Sequence, residues 1–277
     1  MLARHWIASL LALLASCDHA ASDSEAQRER GGHTELGAAA DRAPADGVAP
    51  GCDEVPSSQE LERYLKVVPD ESEAGGLANG KGEWAAIVNR QGVLCAIAVS
   101  LPDPAMAWPG SQAVAKSKAY TANGYSTDVV PMSTARLYTL SQPGHSLAGV
   151  GAANPFNPEC LSTPDAKGGV GKVCGGTIGF GGGVPLYKGK RRVGGLGVSG
   201  DTACADHEIA KRIRSAVKLD PPTGAKADDI LYRGVDAPSI FGHPLCINTW
   251  RDGKKVGDEP LLAEELRPLG ATASTPP

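Results

Sequence analysis

Three histidines, a lysine-rich helix face and a run of glycines are the residues best placed to do chemistry. His145 sits in Pro143-Gly144-His145 and His243 in Gly242-His243-Pro244, while His207 lies early in an apolar-periodic segment beside Lys211 and Arg214. An imidazole in such a place can hold a metal, and haem iron is commonly held by His, Cys, Met or Tyr. The chain lacks Cys-x-x-Cys-His, so covalent haem attachment is not expected. Lys211 and Arg214 could meet acidic groups of a ligand, but a basic helix face is more often simply solvated, and that is the expectation here. His19 and His33 fall in a polar stretch and are read as solvated.

Gly195-Leu196-Gly197-Val198-Ser199-Gly200 fits G-x-G-x-x-G, with Asp220 further on. That pattern binds dinucleotides only when a parallel βαβ unit surrounds it. Here the preceding residues read as a hairpin, so the match is rejected. Gly181-Gly182-Gly183 lacks the Lys-Ser/Thr ending of a phosphate loop. It is read as a turn, a bulge or a backbone wall against a flat ligand. Neither Ser126 nor Ser199 stands in a nucleophile-elbow pattern.

The elements that must position these residues follow from periodicity and punctuation. Ser57-Ser58-Gln59-Glu60 forms a capping box ahead of Leu61, Tyr64 and Leu65, which predicts a helix to about Val67. Trp84–Asn89 and Val93–Val99 are apolar runs joined by Arg90-Gln91-Gly92, a hairpin. A helix is predicted over 111–125, with Ser111 as N-cap and Ala115, Ala119 and Ala122 as a small-residue face able to approach a sheet closely. A second hairpin spans 181–199. A helix from about Cys204 to Leu219 places Ala205, Ile209, Ile213 and Ala216 on one face. After Asp220 the chain reads mostly as loop, with a short strand at 245–250. The order predicts an α+β fold, an antiparallel sheet of two hairpins with flanking helices.

The ends carry a different message. Arg4 and His5 precede an apolar run, Trp6–Ala15, which is too short for a bilayer span of about 20 residues but suits a secretory signal. It ends in Leu14-Ala15-Ser16-Cys17, a lipobox. The expectation is a signal peptide over 1–16, lipidation at Cys17, a flexible tether over 17–51, a folded domain over 52–259, and a disordered tail over 260–277. The protein would then be exported and lipid-anchored, facing the periplasm or the exterior. Which membrane carries it stays open. With Cys17 lipidated, six of the seven cysteines remain, and an oxidising compartment favours disulfides. Six cysteines allow fifteen pairings. Cys160 and Cys174 bracket the Gly/Pro-rich part of a long irregular stretch and could close it into a lobe. A net charge of −4 with both signs mixed gives no nucleic-acid footprint.

Several of these residues together resemble a family. Gly181-Gly-Gly-Val184-Pro185, Val193-Gly-Gly-Leu-Gly-Val-Ser-Gly200, Asp206 and Ile209-Ala210 are similar to the signature of GlcG/HbpS-like proteins. Ala115, Lys118-Ala119 and Thr121-Ala122 look like that family's helix motif. The resemblance covers roughly residues 57–219, interrupted by an insertion at about 128–179. It implies a profilin-like domain, homo-oligomers, and haem or another flat molecule as ligand. It adds Lys118, Gly181, Gly182, Gly183, Val184 and Pro185 to His207, Lys211 and Arg214 as candidate ligand contacts, with His145, His207 and His243 as candidate iron ligands. It also matches Ser199 and Asp206, the latter able simply to favour a helix start. The expected function is a membrane-tethered haem-binding or haem/redox-sensing protein without catalysis. The alternative is an oligomeric interaction module accompanying a periplasmic redox enzyme. An enzyme acting on a small organic acid or corrinoid is the weakest reading.

Overall fold

The computed structural model describes residues 49–161 and 168–260. The signal segment, Cys17, His19, His33, nearly all of the tether and nearly all of the tail lie outside the described residues.

Helix α1 (Ser58–Val67) starts at the predicted capping box: the Ser57 hydroxyl accepts from Glu60 N, and Ser57 N donates to the Glu60 carboxylate. Strands β1 (Trp84–Asn89) and β2 (Leu94–Val99) form the first hairpin. Helix α2 (Ser111–Gly124) follows. Its N-cap is Gly110, not Ser111, which lies one residue inside the helix. The insertion carries single-turn helices α3 (Tyr138–Ser141) and α4 (Val150–Ala153) among 3-10 turns. Strands β3 (Gly183–Lys188) and β4 (Arg191–Ser199) form the second hairpin, and α5 (Ala203–Ala216) follows. Beyond it lie short strands β5 (Leu231–Tyr232), β6 (Gly242–His243), β7 (Thr249–Arg251) and β8 (Lys254–Gly257), more regular structure than the sequence suggests.

The main sheet has the order β2-β1-β4-β3 and is antiparallel throughout. The β3–β4 pairing bears out rejection of the dinucleotide motif, since no parallel unit surrounds Gly195–Gly200. Alternate residues face opposite sides. Ala85, Ile87, Leu196 and Val198 pack with Leu61, Leu65, Ile209 and Ile213 of α1 and α5. Trp84, Ala86 and Val88 pack with Ala115 and Ala119 of α2. The sheet thus lies between α1/α5 on one face and α2 on the other.

Glycines in β4 bring α2 close. A Cβ on Gly195 would stand 2.3 Å from Ala119 O, and one on Gly197 only 2.0 Å from Ala115 O. The alanine face of α2 and the glycine face of β4 are two halves of one contact.

Both sheet edges are covered by the chain itself, which removes a template for edge pairing. At β2, Leu94 N donates to Lys172 O and Leu94 O accepts from Gly171 N, both at 2.8 Å. At β3, Gly183 N donates to Thr134 Oγ1, Pro185 has no N–H, and Tyr187 N donates to Leu219 O. The insertion is therefore bound to the sheet. Disulfides join Cys52–Cys95, Cys160–Cys174 and Cys204–Cys246. Cys160–Cys174 closes the insertion's Gly/Pro-rich part, and Cys204–Cys246 ties the C-terminal segment to α5. Among the described residues, no helix is long and apolar enough to cross a membrane.

Candidate functional site

Lys118 emerges from α2 at the end of β4 and is fully buried. Its ammonium donates to Asp206 Oδ2 at 2.6 Å and to Val198 O at 2.9 Å, and stands 5.0 Å from the Phe180 ring centroid. Asp206 belongs to the first turn of α5, and its other oxygen accepts from Asp201 N. The helix cap itself is Thr202, whose hydroxyl accepts from Ala205 N. Burial pushes the Asp206 carboxyl up to about 6, against the opposing pull of Lys118. Beside this pair lies Glu83, also fully buried, with neither carboxyl oxygen meeting ordinary hydrogen-bond geometry. Burial, then the charges of Asp206 and Asp201, hold its pKa well above the usual carboxylate range. The arrangement favours a neutral Glu83 next to a Lys118–Asp206 ion pair.

The glycine run explains how these groups meet. Gly182 has φ +115°, a conformation that L side chains rarely adopt, and a Cβ there would sit 2.5 Å from Lys118 Nζ. A Cβ on Gly181 would meet Ala203 O at 2.2 Å, and one on Gly183 would meet Thr134 and Lys118 O. The close approach here is by α2, α5 and the insertion. Val184 and Pro185 continue into β3 and are buried.

His207, Lys211 and Arg214 occupy the second face of α5. The expectation of a solvated basic stripe is corrected: all three are buried, because residues 220–260 fold back over them and supply carboxylates. Lys211 Nζ lies 3.0 Å from Asp229 Oδ2, 3.0 Å from Asp252 Oδ1 and 3.1 Å from Glu208 Oε2. Burial acts to lower its pKa, but Asp229 and Glu208 outweigh that and leave it raised. Arg214 clasps Asp228 with two nitrogens, at 2.9 and 3.0 Å. His207 Nε2 is 3.4 Å from Asp229 Oδ1. Burial raises the Asp229 carboxyl, yet His207 and Lys211 outweigh it and hold it well below the ordinary range.

His243 is also buried. Its Nδ1 is 2.7 Å from Pro244 O, so Nδ1 carries the proton, and Nε2 accepts from Gly181 N at 3.3 Å. Burial pulls its pKa down to about 4. Its ring stacks at a tilt on Tyr138, centroids 4.8 Å apart. His145 is apart from the others, exposed on the insertion in a turn closed by His145 N→Gln142 O.

The structure therefore gathers Lys118, Gly182 and Asp206 into one buried cluster, and His207, Lys211 and Arg214 into another. Glu83, Asp228, Asp229 and Asp252 complete these clusters and were not singled out from the sequence. Glu83 stands just ahead of an apolar strand, and the aspartates lie in a segment read as loop. Two open grooves flank this region. One, of about 480 Å³, is lined by Glu71, Lys211, Arg212, Lys226 and Asp252 among others. The second, of about 400 Å³, is lined by Tyr232, Arg233, Asp236 and neighbours.

Residues 70–214, from the end of the first helical region through most of α5, match the family model described as haem degrading protein HbpS-like. The chain belongs to the HbpS-like family. The family's segment contains Lys118, Gly181–Pro185, Asp206 and His207, and it omits His243 and the C-terminal carboxylates. No curated protein matches the chain. Among solved structures, the Klebsiella pneumoniae protein ORFY is 21% identical, with 58% of this chain and 86% of that one covered at a TM-score of 0.41. A PduOC:heme complex is 23% identical, with 60% and 98% covered at a TM-score of 0.42. HbpS is 18% identical, with 58% and 86% covered at a TM-score of 0.38.

Proposed function

We propose that this member of the HbpS-like family is a haem-binding protein that works outside the cytoplasm, tethered to a membrane through lipid on Cys17, and that it performs no catalysis itself. Family membership across residues 70–214 supports the haem-binding part of the reading. The three disulfides support an oxidising compartment.

The candidate iron ligands differ in their fit. His207 and His243 are buried, with ring nitrogens directed at Asp229, Gly181 and Pro244, and neither lines the two grooves. Lys211 and Arg214 are already neutralised by carboxylates of the chain, so they do not fit propionates. His145 alone among the three is solvent-exposed, and no hydrogen bond to its ring is seen among the described residues. It is the residue of the three that would hold haem iron, at the surface of the insertion, and haem bound there would supply a redox-active iron centre.

Hemin titration of the full chain, followed by absorbance, tests this. A saturable Soret shift near one haem per chain, weakened by His145→Ala and kept by His243→Ala, is expected. A linear rise competed away by albumin would overturn the reading and leave the oligomeric interaction module in its place.

A further inference from the structure

A group outside the ion-pair clusters has the makings of a metal centre. Cys204, His243 and Cys246 are all buried, and one ligand atom from each lies within 4.8 Å of the others. Two of these atoms are the sulfurs of a disulfide. We propose that Cys204, Cys246 and His243 form a thiolate–imidazole site for a zinc-class divalent cation when that disulfide is reduced, so that the bond and the metal are alternative ways of fastening the C-terminal segment to α5.

The imidazole is prepared for this role. A carbonyl can only accept, so the 2.7 Å contact between His243 Nδ1 and Pro244 O fixes the proton on Nδ1. The lone pair is then on Nε2, where only the long 3.3 Å contact from Gly181 N uses it. A ligating histidine whose other N–H is held by a carbonyl is the usual second-layer arrangement of metal sites. Cys204 is the second residue of a fourteen-residue helix. A helix N-terminus stabilises thiolate, the form that ligates. Two thiolates and an imidazole are ligands of zinc-like ions, at about 2.3 Å for sulfur and 2.0–2.1 Å for nitrogen. Such bonds place ligand atoms about 3.5–3.8 Å apart, so the imidazole within 4.8 Å must draw in by about 1 Å while the two sulfurs, bonded in the oxidised chain, part to about 3.8 Å on reduction.

The chemistry balances. A dithiol reductant gives two electrons and two protons to the S–S bond, becomes a disulfide, and leaves two thiols. Binding of the cation releases those two protons. An oxidant of the disulfide class reverses the sequence and expels the metal.

Cobalt(II) is the probe, because thiolate ligation gives it near-ultraviolet charge-transfer absorption and tetrahedral coordination gives it visible bands. The full chain, reduced with a phosphine, should bind one cobalt with both features, and zinc should displace it. The oxidised chain should give neither. Cys204→Ser and Cys246→Ser should each abolish the charge-transfer band, His243→Ala should weaken binding at least tenfold, and Cys52→Ser should leave it intact. A reduced chain without the charge-transfer band, or a band that survives Cys204→Ser, overturns the proposal. So does loss of near-ultraviolet dichroism on reduction that added zinc fails to restore.

Discussion

Lys118 Nζ lies 2.6 Å from Asp206 Oδ2, and this ion pair joins helices that cover opposite faces of one sheet. It passes the sheet at Gly182, where a side chain would occupy the space of the ammonium. Both charges are removed from water, so neither could stay without the other. The pair is a fastening between layers, so Lys118 and Asp206 have a structural role here. What it does not fasten is Glu83, the carboxyl beside it that has no cation of its own.

Glu83→Gln should therefore change how stability depends on pH. Glu83 has a folded pKa raised above its unfolded value, so its contribution is complete below the unfolded pKa and is lost as pH rises through the folded one. Asp206, raised to about 6, acts in the same direction. Stability from these two groups should fall as pH rises between about 4 and 7. The glutamine variant keeps shape and neutrality and cannot ionise. Denaturant midpoints measured across that range should show a flatter curve than wild type and a gain at the neutral end. A parallel curve would mean that Glu83 has the same pKa folded and unfolded, and a steeper loss in acid for wild type that it is ionised and paired.

The helix and hairpin pattern was readable because caps, glycine turns and apolar periods act locally. Ser57 and Glu60 define α1, and Gly92 turns the first hairpin with φ +84°. The basic face of α5 was not readable in the same way. His207, Lys211 and Arg214 look solvated in any local window, and only the return of Asp228, Asp229 and Asp252 from a segment of weak periodicity buries them. The glycines were visible, but whether a ligand or a helix fills the space beside Gly181 and Gly182 is a tertiary fact. Cys160 and Cys174 could be paired from their setting; the partners of Cys52 and Cys204 depend on chain folding over more than forty residues.

Asp228→Ala should be severely destabilising. Arg214 and Asp228 are both fully buried and joined by two charge-assisted contacts. Removing the carboxylate leaves the interior guanidinium with the carbonyls of Pro185 and Ala225 and the part-exposed carboxylate of Asp220, 3.2 Å from Nε. Breaking one side of such a pair costs about 3–5 kcal/mol. Urea denaturation should show a loss of that size, whereas Asp258→Ala, at an exposed pair with Lys255, should move the midpoint little. Equal small losses at both positions would show that Arg214 finds solvent.

Gly197→Ala tests the contact between α2 and the sheet. The new methyl would lie 2.0 Å from Ala115 O and 2.5 Å from Ala119 N, both backbone atoms of a helix that cannot yield without moving whole. Leu196 and Val198 on either side are fully buried against the opposite layer, so β4 has no room to retreat. Overpacking of this kind costs about 1–3 kcal/mol, and more where backbone must shift. Thermal unfolding should show a large drop in midpoint. Gly189→Ala is the comparison: it sits in the β3–β4 turn with open space around its Cβ, and its φ of +63° carries only the strain of a left-handed alanine. If the two substitutions cost the same, close approach of the helix does not account for glycine at position 197, whose backbone is ordinary extended strand. If Gly197→Ala costs clearly more, the alanine face of α2 and the glycines of β4 are one packing unit.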